Sequence, residues 1–302
     1  MNKIIIFCFA GRKRYLDIQL VYIINLLNKN PNIEYHLWNF SRNKDDNNYL
    51  QELVNLHNQI KLFNNFYEGD NTNIICNKRV GIICSCTKCR VGKWTEPYKY
   101  YSNKNYENTI FIKMDDDIIF ISIDKINNFI ETIINNPNQI ISSNVINNGV
   151  CTFYNENIKK MVIDSTILNN NSSLNDFWYL CTNKNFFNLS HDYFINEFNK
   201  NNLKLFNLEE KKICIERTRF SINTIGFTYD IMCKITDLLG NQIGMNDEEI
   251  ISHNFDILIC NTFLNVHFHF SDQRVNITDE EESKYLILYK NISNQFIFHN
   301  HV

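Results

Sequence analysis

The sequence predicts an α/β fold, with a mostly parallel central sheet, helices on both faces and a C-terminal extension. Three observations predict it. Short apolar runs alternate with stretches of helical periodicity through the first third of the chain, and polar turns follow the apolar runs. The third is size: 302 residues with 44% hydrophobic and 14% aromatic content are enough for a large buried core.

The run "KIIIFCF" is continuous and apolar, as a strand buried on both faces requires. "AGRKR" turns the chain, and "YLDIQLVYIINLLN" then places Leu16, Leu20, Ile23, Ile24 and Leu27 at helical spacing. "IEYHLWNF" reads as a second strand, "NYLQELVNLHNQ" as a second helix and "IKLF" as a short third strand. Residues 64–92 are polar and Cys-rich, an insertion or long loop. "KWTEPYKYYS" starts a helix whose first turn tolerates Pro97, and "TIFIKM" is the next strand. Further on, "DKINNFIETIINN" reads as a helix, "QIISSNVINNGV" as a strand with a polar exit and "NENIKKMVIDS" as another helix. Short helices and loops are expected from Leu174 to Glu210. "SINTIGFTYDIMCKITDLLG" has helical periodicity and a glycine stop, "NDEEIISHNF" looks like a helix start, and "TFLNVHFHFSDQR" like a strand with two histidines on one face. No internal repeat or long linker divides the chain, so one unit over 1–302 is expected.

Composition narrows the class of function. A net charge of −3 and an isoelectric point near 6.2 argue against bulk electrostatic capture of nucleic acid or of an anionic membrane. Asparagine makes up about one residue in six, with abundant Ile and Lys and little Gly or Pro. These are residues of AT-rich codons, and the sequons "NSS", "NLS", "NIT" and "NIS" follow from that bias. The opening apolar stretch is short and runs into "GRKRY", so no signal peptide is expected, and no run approaches the ~20 apolar residues of a membrane span. The expectation is a soluble cytoplasmic protein without a transmembrane segment. Its oligomeric state is not legible. Cys76, Cys84, Cys86 and Cys89 cluster at C-x7-C-x-C-x2-C, which departs from standard zinc-finger spacing; structural zinc, a disulfide and a thiol-rich loop are the alternatives.

Residues 109–122, "TIFIKMDDDIIFIS", set three adjacent carboxylates between apolar runs. A carboxylate removed from water without a partner costs several kcal/mol or is neutralised, so something positive is expected there. Adjacent strand residues point to opposite faces, but in a turn Asp115 and Asp117 can face one ion. A hard divalent cation, Mn²⁺ or Mg²⁺, takes oxygen ligands and shares carboxylates with phosphates. The alternative is a solvated acidic turn. In sheets of the expected kind, ligands bind beyond the carboxyl ends of the strands, and "AGRKR", "WNFSRN" and "DDD" all fall there.

The blocks "FCFAGRKRYLDIQLVYIINLL", "EYHLWNFSRNKDDNNYL", "KW..PYKYYS", "IFIKMDDDIIFI", "NVINNGV", "NDEEIIS" and "NVHFHFSDQR" run from near residue 3 to near 275. Together they resemble the glycosyltransferases of the GT-A fold, and within them a poorly characterised group from giant DNA viruses. The resemblance implies a Rossmann-like sheet and a D-x-D motif holding the metal–diphosphate of a nucleotide-sugar, with UDP the expected nucleotide and a glycan or glycoprotein as acceptor. It also implies a nucleotide-sugar-binding half over about 1–122 and an acceptor half over about 123–302, with the host cytoplasm as the compartment of a viral enzyme. Carried onto this chain, it points to Phe9, Ala10, Gly11, Arg12 and Arg14 and then to Asn39, Arg42 and Asp46 for the base and ribose. Lys93, Trp94 and Tyr98 correspond to a donor-contacting segment, and Asp115 and Asp116 to the nucleotide side of the D-x-D motif. The metal would be held by Asp115 and Asp117 with a C-terminal histidine, His267 first and His269 second.

Transfer with inversion also needs a base for the acceptor hydroxyl. The resemblance points to Asp247, with Glu248 as the alternative; a helix N-terminus favours acidic residues in any case. Transfer with retention needs no such base. Asn144, Asn147 and Asn148 at a strand exit are candidate partners for sugar hydroxyls. Two rival readings remain: a sugar nucleotidyltransferase, which ordinarily carries a glycine-rich loop where "FAGRKRY" has one glycine, and an inactive binding protein of the same fold.

Overall fold

A computed structural model of the chain describes residues 3–41, 43–63, 93–208, 213–215, 217–241 and 246–298. Arg42, the side chain of Lys93 and the Cys76, Cys84, Cys86 and Cys89 cluster lie outside the described residues.

The chain opens with β1 (Ile4–Ala10), α1 (Lys13–Lys29), β2 (Ile33–Asn39), α2 (Lys44–Leu53) and β3 (Ile60–Phe63). After α3 (Glu96–Tyr101) come β4 (Ile110–Asp115), β5 (Ile118–Ile121), α4 (Ile126–Asn135) and β6 (Ile140–Ile146). Four helices follow: α5 (Gly149–Tyr154), α6 (Glu156–Asp164), α7 (Leu174–Trp178) and α8 (Lys184–Asn199). The chain ends with β7 (Ile213–Ile215), β8 (Thr224–Thr228), α9 (Tyr229–Asn241), α10 (Asp247–Asn254), β9 (Ile257–His267), α11 (Ser271–Asn276) and α12 (Asp279–Phe298).

The described strands form one sheet in the order β3-β2-β1-β4-β8-β6-β9-β5, with β7 against β9. β3, β2, β1 and β4 are mutually parallel, β8 runs against β4 and β6, and β6 and β9 are parallel again. β5 and β7 run against β9, so β8, β5 and β7 are the reversed strands of a mostly parallel sheet. The α/β class expected from the alternating apolar runs is the one observed.

Strand residues alternate between two cores because successive side chains point to opposite faces. Ile4, Ile6, Cys8, Ile110, Ile112 and Met114 pack with α1, α4, α8 and α12; Ile5, Phe7 and Phe111 pack with α3, α9 and α10. The topology brings the carboxyl ends of β1, β4, β6 and β9 to one edge, together with the amino ends of β5 and β8: Met114 is opposite Thr224 and Ile118 opposite His267. That edge is where the candidate residues gather.

The structure departs from the sequence reading in four places. The stretch read as one helix from Ser221 is split, with β8 inserted before α9. At Gly226 a Cβ would lie 2.3 Å from Ile133 Cδ1, so α4 packs closely against this strand. The region from Leu174 to Glu210 holds a sixteen-residue helix, α8, whose polar Asn-rich sequence masks a buried face of Phe186, Phe187, Phe194 and Ile195. The strand read over "TFLNVHFHFSDQR" begins earlier, at Ile257, ends at His267 so that His269 lies beyond it, and carries an irregularity where its pairing jumps from Cys260 to Leu264. The last segment forms the twenty-residue α12.

Phe120 of β5 anchors the helical layer, packing on Tyr22, Phe194 and Phe296 at ring separations of 5.6, 4.9 and 6.2 Å. We expect Phe120→Ala to lower unfolding free energy by about 3–5 kcal/mol in urea denaturation. A loss below about 1 kcal/mol would contradict this account of the core.

Candidate active site

The three aspartates occupy the tight turn between β4 and β5, and each has its own partners. Asp116 turns toward the exit of β1, where its Oδ2 accepts the Gly11 N–H at 3.0 Å and its Oδ1 accepts Arg12 Nε at 2.9 Å and the Arg12 Nη2 as well. Asp117 Oδ2 pairs with the same guanidinium at 2.9 Å. His267 Nε2 approaches Asp117 Oδ1 at 3.3 Å, and His269 Nδ1 approaches Asp117 Oδ2 at 4.0 Å. Asp115 is held through Oδ1 by Lys113 Nζ at 2.5 Å and through Oδ2 by Asn223 Nδ2 at 3.3 Å. Its backbone carbonyl accepts from Gln19 Nε2 at 2.8 Å, and Gln19 is in turn held by Tyr35.

Two fixed cations thus compensate part of the buried charge. Burial alone would raise the Asp117 carboxyl, but Arg12 and His267 beside it hold it well below the usual carboxylate range. Asp115, Asp117 and His267 each present a ligand atom within 4.8 Å of the others. Asp117 Oδ1 and His267 Nδ1 are buried with no hydrogen-bond partner. Two carboxylates and an imidazole suit a hard or borderline divalent ion, and the unsatisfied Asp117 oxygen is an atom such an ion would satisfy. The residues present therefore fit a Mn²⁺- or Mg²⁺-type site.

These groups border a cavity of about 320 Å³. Its walls include Phe9, Gly11 and Arg12 at the exit of β1, Phe40 after β2, Asn223 before β8, Glu248 on α10 and Arg274 on α11. Gly11 is required where it stands: a Cβ would fall 2.5 Å from the Phe40 carbonyl oxygen.

The remaining predicted residues fall out as follows. Ala10 is buried, and Phe40 N donates to its carbonyl at 2.6 Å. Arg14 pairs with Glu282 at 2.9 Å. Asn39 is tied to Asn47 and Ser41, and Asp46 accepts the Lys13 N–H at 3.0 Å beside a second cavity of about 470 Å³ that Arg12 and Arg274 also line. Trp94 packs into the core on the α9 side. His269 is fully buried, with Nε2 2.8 Å from the Tyr15 hydroxyl and 3.6 Å from Glu282, and it stands outside the three-residue cluster. Asn144, Asn147 and Asn148 are buried and bond to the protein itself. Asn144 donates to Phe206 O, Asn147 to Phe268 O and Gln273, and Asn148 caps α5 and reaches Asn223. Buried strand ends need these bonds, which is why the polar exit is rich in asparagine.

The two acidic candidates on α10 separate clearly. Asp247 accepts the Tyr98 hydroxyl at 3.0 Å, whereas Glu248 lines the cavity. Arg219 bonds Glu248 Oε1 at 3.1 Å and Glu249 Oε1 at 2.8 Å, with its guanidinium 5.2 Å from the Trp178 ring centre. Burial lifts Glu248 to about 7 despite that arginine. Sequence reasoning missed Lys113, Asn223, Arg219 and Arg274. Only Lys113 left a signal, a charge in the middle of an apolar strand.

No family model matches the chain, and no curated protein matches it. Solved structures similar to it include 4-diphosphocytidyl-2C-methyl-D-erythritol synthase from Anaerococcus prevotii, with 9% identity over 94% of each chain and a TM-score of 0.42. Another is the bifunctional glycosyltransferase WbbM in its apo form, with 12% identity and a TM-score of 0.36. That match covers 95% of this chain, which spans 44% of WbbM. Both likenesses are distant. Among the described residues, no helix is long and apolar enough to cross a membrane.

The raised Glu248 predicts a pH effect. The native carboxyl keeps its proton to about pH 7, whereas the unfolded one releases it near 4.5. Between these values unfolding releases a proton, so Glu248 makes stability fall as pH rises. Urea unfolding at pH 5 and pH 7.5 should show a smaller decline for Glu248→Gln than for the native chain. Equal declines would contradict the burial of this carboxyl.

Proposed function

We propose that the chain is a metal-dependent glycosyltransferase that moves a sugar from a nucleoside-diphosphate sugar, a UDP-sugar in the first instance, to a hydroxyl of a glycan or glycoprotein. The observation that carries the reading is the Asp115–Asp117–His267 cluster, with its unsatisfied buried Asp117 oxygen, at the open strand edge of a mostly parallel α/β sheet. The sequence resemblance to GT-A glycosyltransferases supports the same reading.

Asp115, Asp117 and His267 would hold the ion, which when bound offsets the charge of a departing nucleoside diphosphate. Arg12 favours the ionised form of Asp117 and fixes both Asp116 and Asp117, so the ligand oxygens stay in place without help from solvent. Arg274 lines the same cavity and makes no side-chain ion pair among the described residues, so its guanidinium is free for a phosphate. Phe9 and Phe40 stand edge to face, 5.2 Å apart, on the wall where a base would lie.

Glu248 is the base of this reading in place of Asp247, whose Oδ2 accepts the Tyr98 hydroxyl and whose Oδ1 accepts the Glu248 N–H. Arg219 takes Oε1 of Glu248, which leaves the other oxygen for an acceptor hydroxyl. A carboxyl that titrates near neutrality is matched to accepting a proton at physiological pH.

Isothermal titration with UDP, GDP, CMP and TDP, each with Mn²⁺ and with chelator, tests the proposal. One nucleotide should bind in a metal-dependent way, and Asp117→Asn should weaken that binding at least about 100-fold. Absence of binding by all four, or binding indifferent to chelator and to Asp117→Asn, would overturn it.

A further inference from the structure

Lys113 is a buried charge at this edge to which the proposed chemistry gives no task. Its side chain is 5% exposed in the middle of β4, and buried lysines are rare unless paired. The ammonium is fixed by Asp115 Oδ1 at 2.5 Å and by the Ile222 carbonyl at 2.9 Å, and it sits 5.7 Å from the Phe9 ring centre.

Its partner is one of the three residues that would hold the ion, and the two aspartates of that set differ in a way that matters. Asp117 has an oxygen with no hydrogen-bond partner. Both oxygens of Asp115 already accept a hydrogen bond, one from Lys113 and one from Asn223. A dication bound by Asp115 would therefore share that carboxylate with an ammonium already there. The charge balance points the same way. Against the three carboxylates of the turn stand two fixed cations, Arg12 and Lys113. Asp247 and Glu248 of α10 are the other carboxylates within electrostatic reach of Lys113; Tyr98 engages the first and Arg219 the second. A dication would place two further positive charges beside the Lys113 ammonium in a largely buried place, and an anion would offset that repulsion.

We infer that Lys113 is a resident counter-cation that competes with the divalent ion for Asp115, so that the site takes up the ion efficiently only together with a diphosphate. The inference rests on the metal reading above and gives Lys113 a positioning role within it. In the absence of ligand, the ammonium keeps Asp115 oriented and the carboxylates tolerated. When a diphosphate arrives, its negative charge offsets the cost of holding a dication and Lys113 at one carboxylate.

The test is Mn²⁺ binding by the whole chain, followed by electron spin resonance of free Mn²⁺, without and with inorganic pyrophosphate and corrected for the Mn²⁺–pyrophosphate complex. The native chain should bind Mn²⁺ weakly alone and at least about tenfold more tightly with pyrophosphate. Lys113→Met, which keeps the length and removes the charge, should bind Mn²⁺ alone about tenfold more tightly than the native chain and lose most of the pyrophosphate effect. Unchanged or weaker binding of Mn²⁺ alone by a folded Lys113→Met chain would overturn the inference. Should that variant not fold, the native chain decides: equal Mn²⁺ affinity with and without pyrophosphate overturns the inference while leaving the metal site standing. No Mn²⁺ binding in either condition overturns the metal reading itself.

Discussion

Three adjacent carboxylates in a turn between two buried strands are the constraint on which the rest of this edge depends. Each would cost several kcal/mol if left unpaired in the interior, and the fold meets that cost by sending the three in different directions. Asp116 goes back to the turn after β1, Asp115 to its own strand and to β8, and Asp117 forward to the end of β9. Strands far apart in sequence are therefore held to one another by charge as well as by the ladder. The same partition leaves Asp117 Oδ1 and two imidazole nitrogens, His267 Nδ1 and His269 Nδ1, buried without a hydrogen bond.

The reversed strand β8 follows from this constraint. Its insertion between β4 and β6 brings Asn223 to Asp115 and the Ile222 carbonyl to Lys113. A parallel strand at that position would present its other end to the site. The C-terminal helix α12 contributes in a similar way, since Glu282 bonds Tyr15 and Arg14 and lies beside His269. The region read from sequence as an extension is thus built into the wall behind Asp117.

Legibility in the sequence followed the strength of the local signal. "KIIIFCF", "IEYHLWNF", "IKLF" and "TIFIKM" are strongly apolar and sharply bounded, and they became β1 to β4. β8 was hidden because "TIGFT" runs into a helix without a break, and α8 because its polar face is written in asparagine. At the site, the aspartates and His267 were legible because few buried structures need such a pattern. Which of Asp247 and Glu248 lines the cavity was not, since both sit in one helical turn and only the positions of Tyr98 and Arg219 separate them. The asparagines after β6 gave a weaker signal: a residue used throughout this chain carries little information at any one position, and here it ties buried backbone.

The central claim is that Asp115, Asp117 and His267 form one divalent-cation site. Anomalous diffraction from crystals grown with Mn²⁺ and a nucleoside diphosphate tests it most directly. The account predicts a single strong anomalous peak within bonding distance of all three side chains. A fully occupied Mn²⁺ elsewhere, with none at this turn, would contradict it.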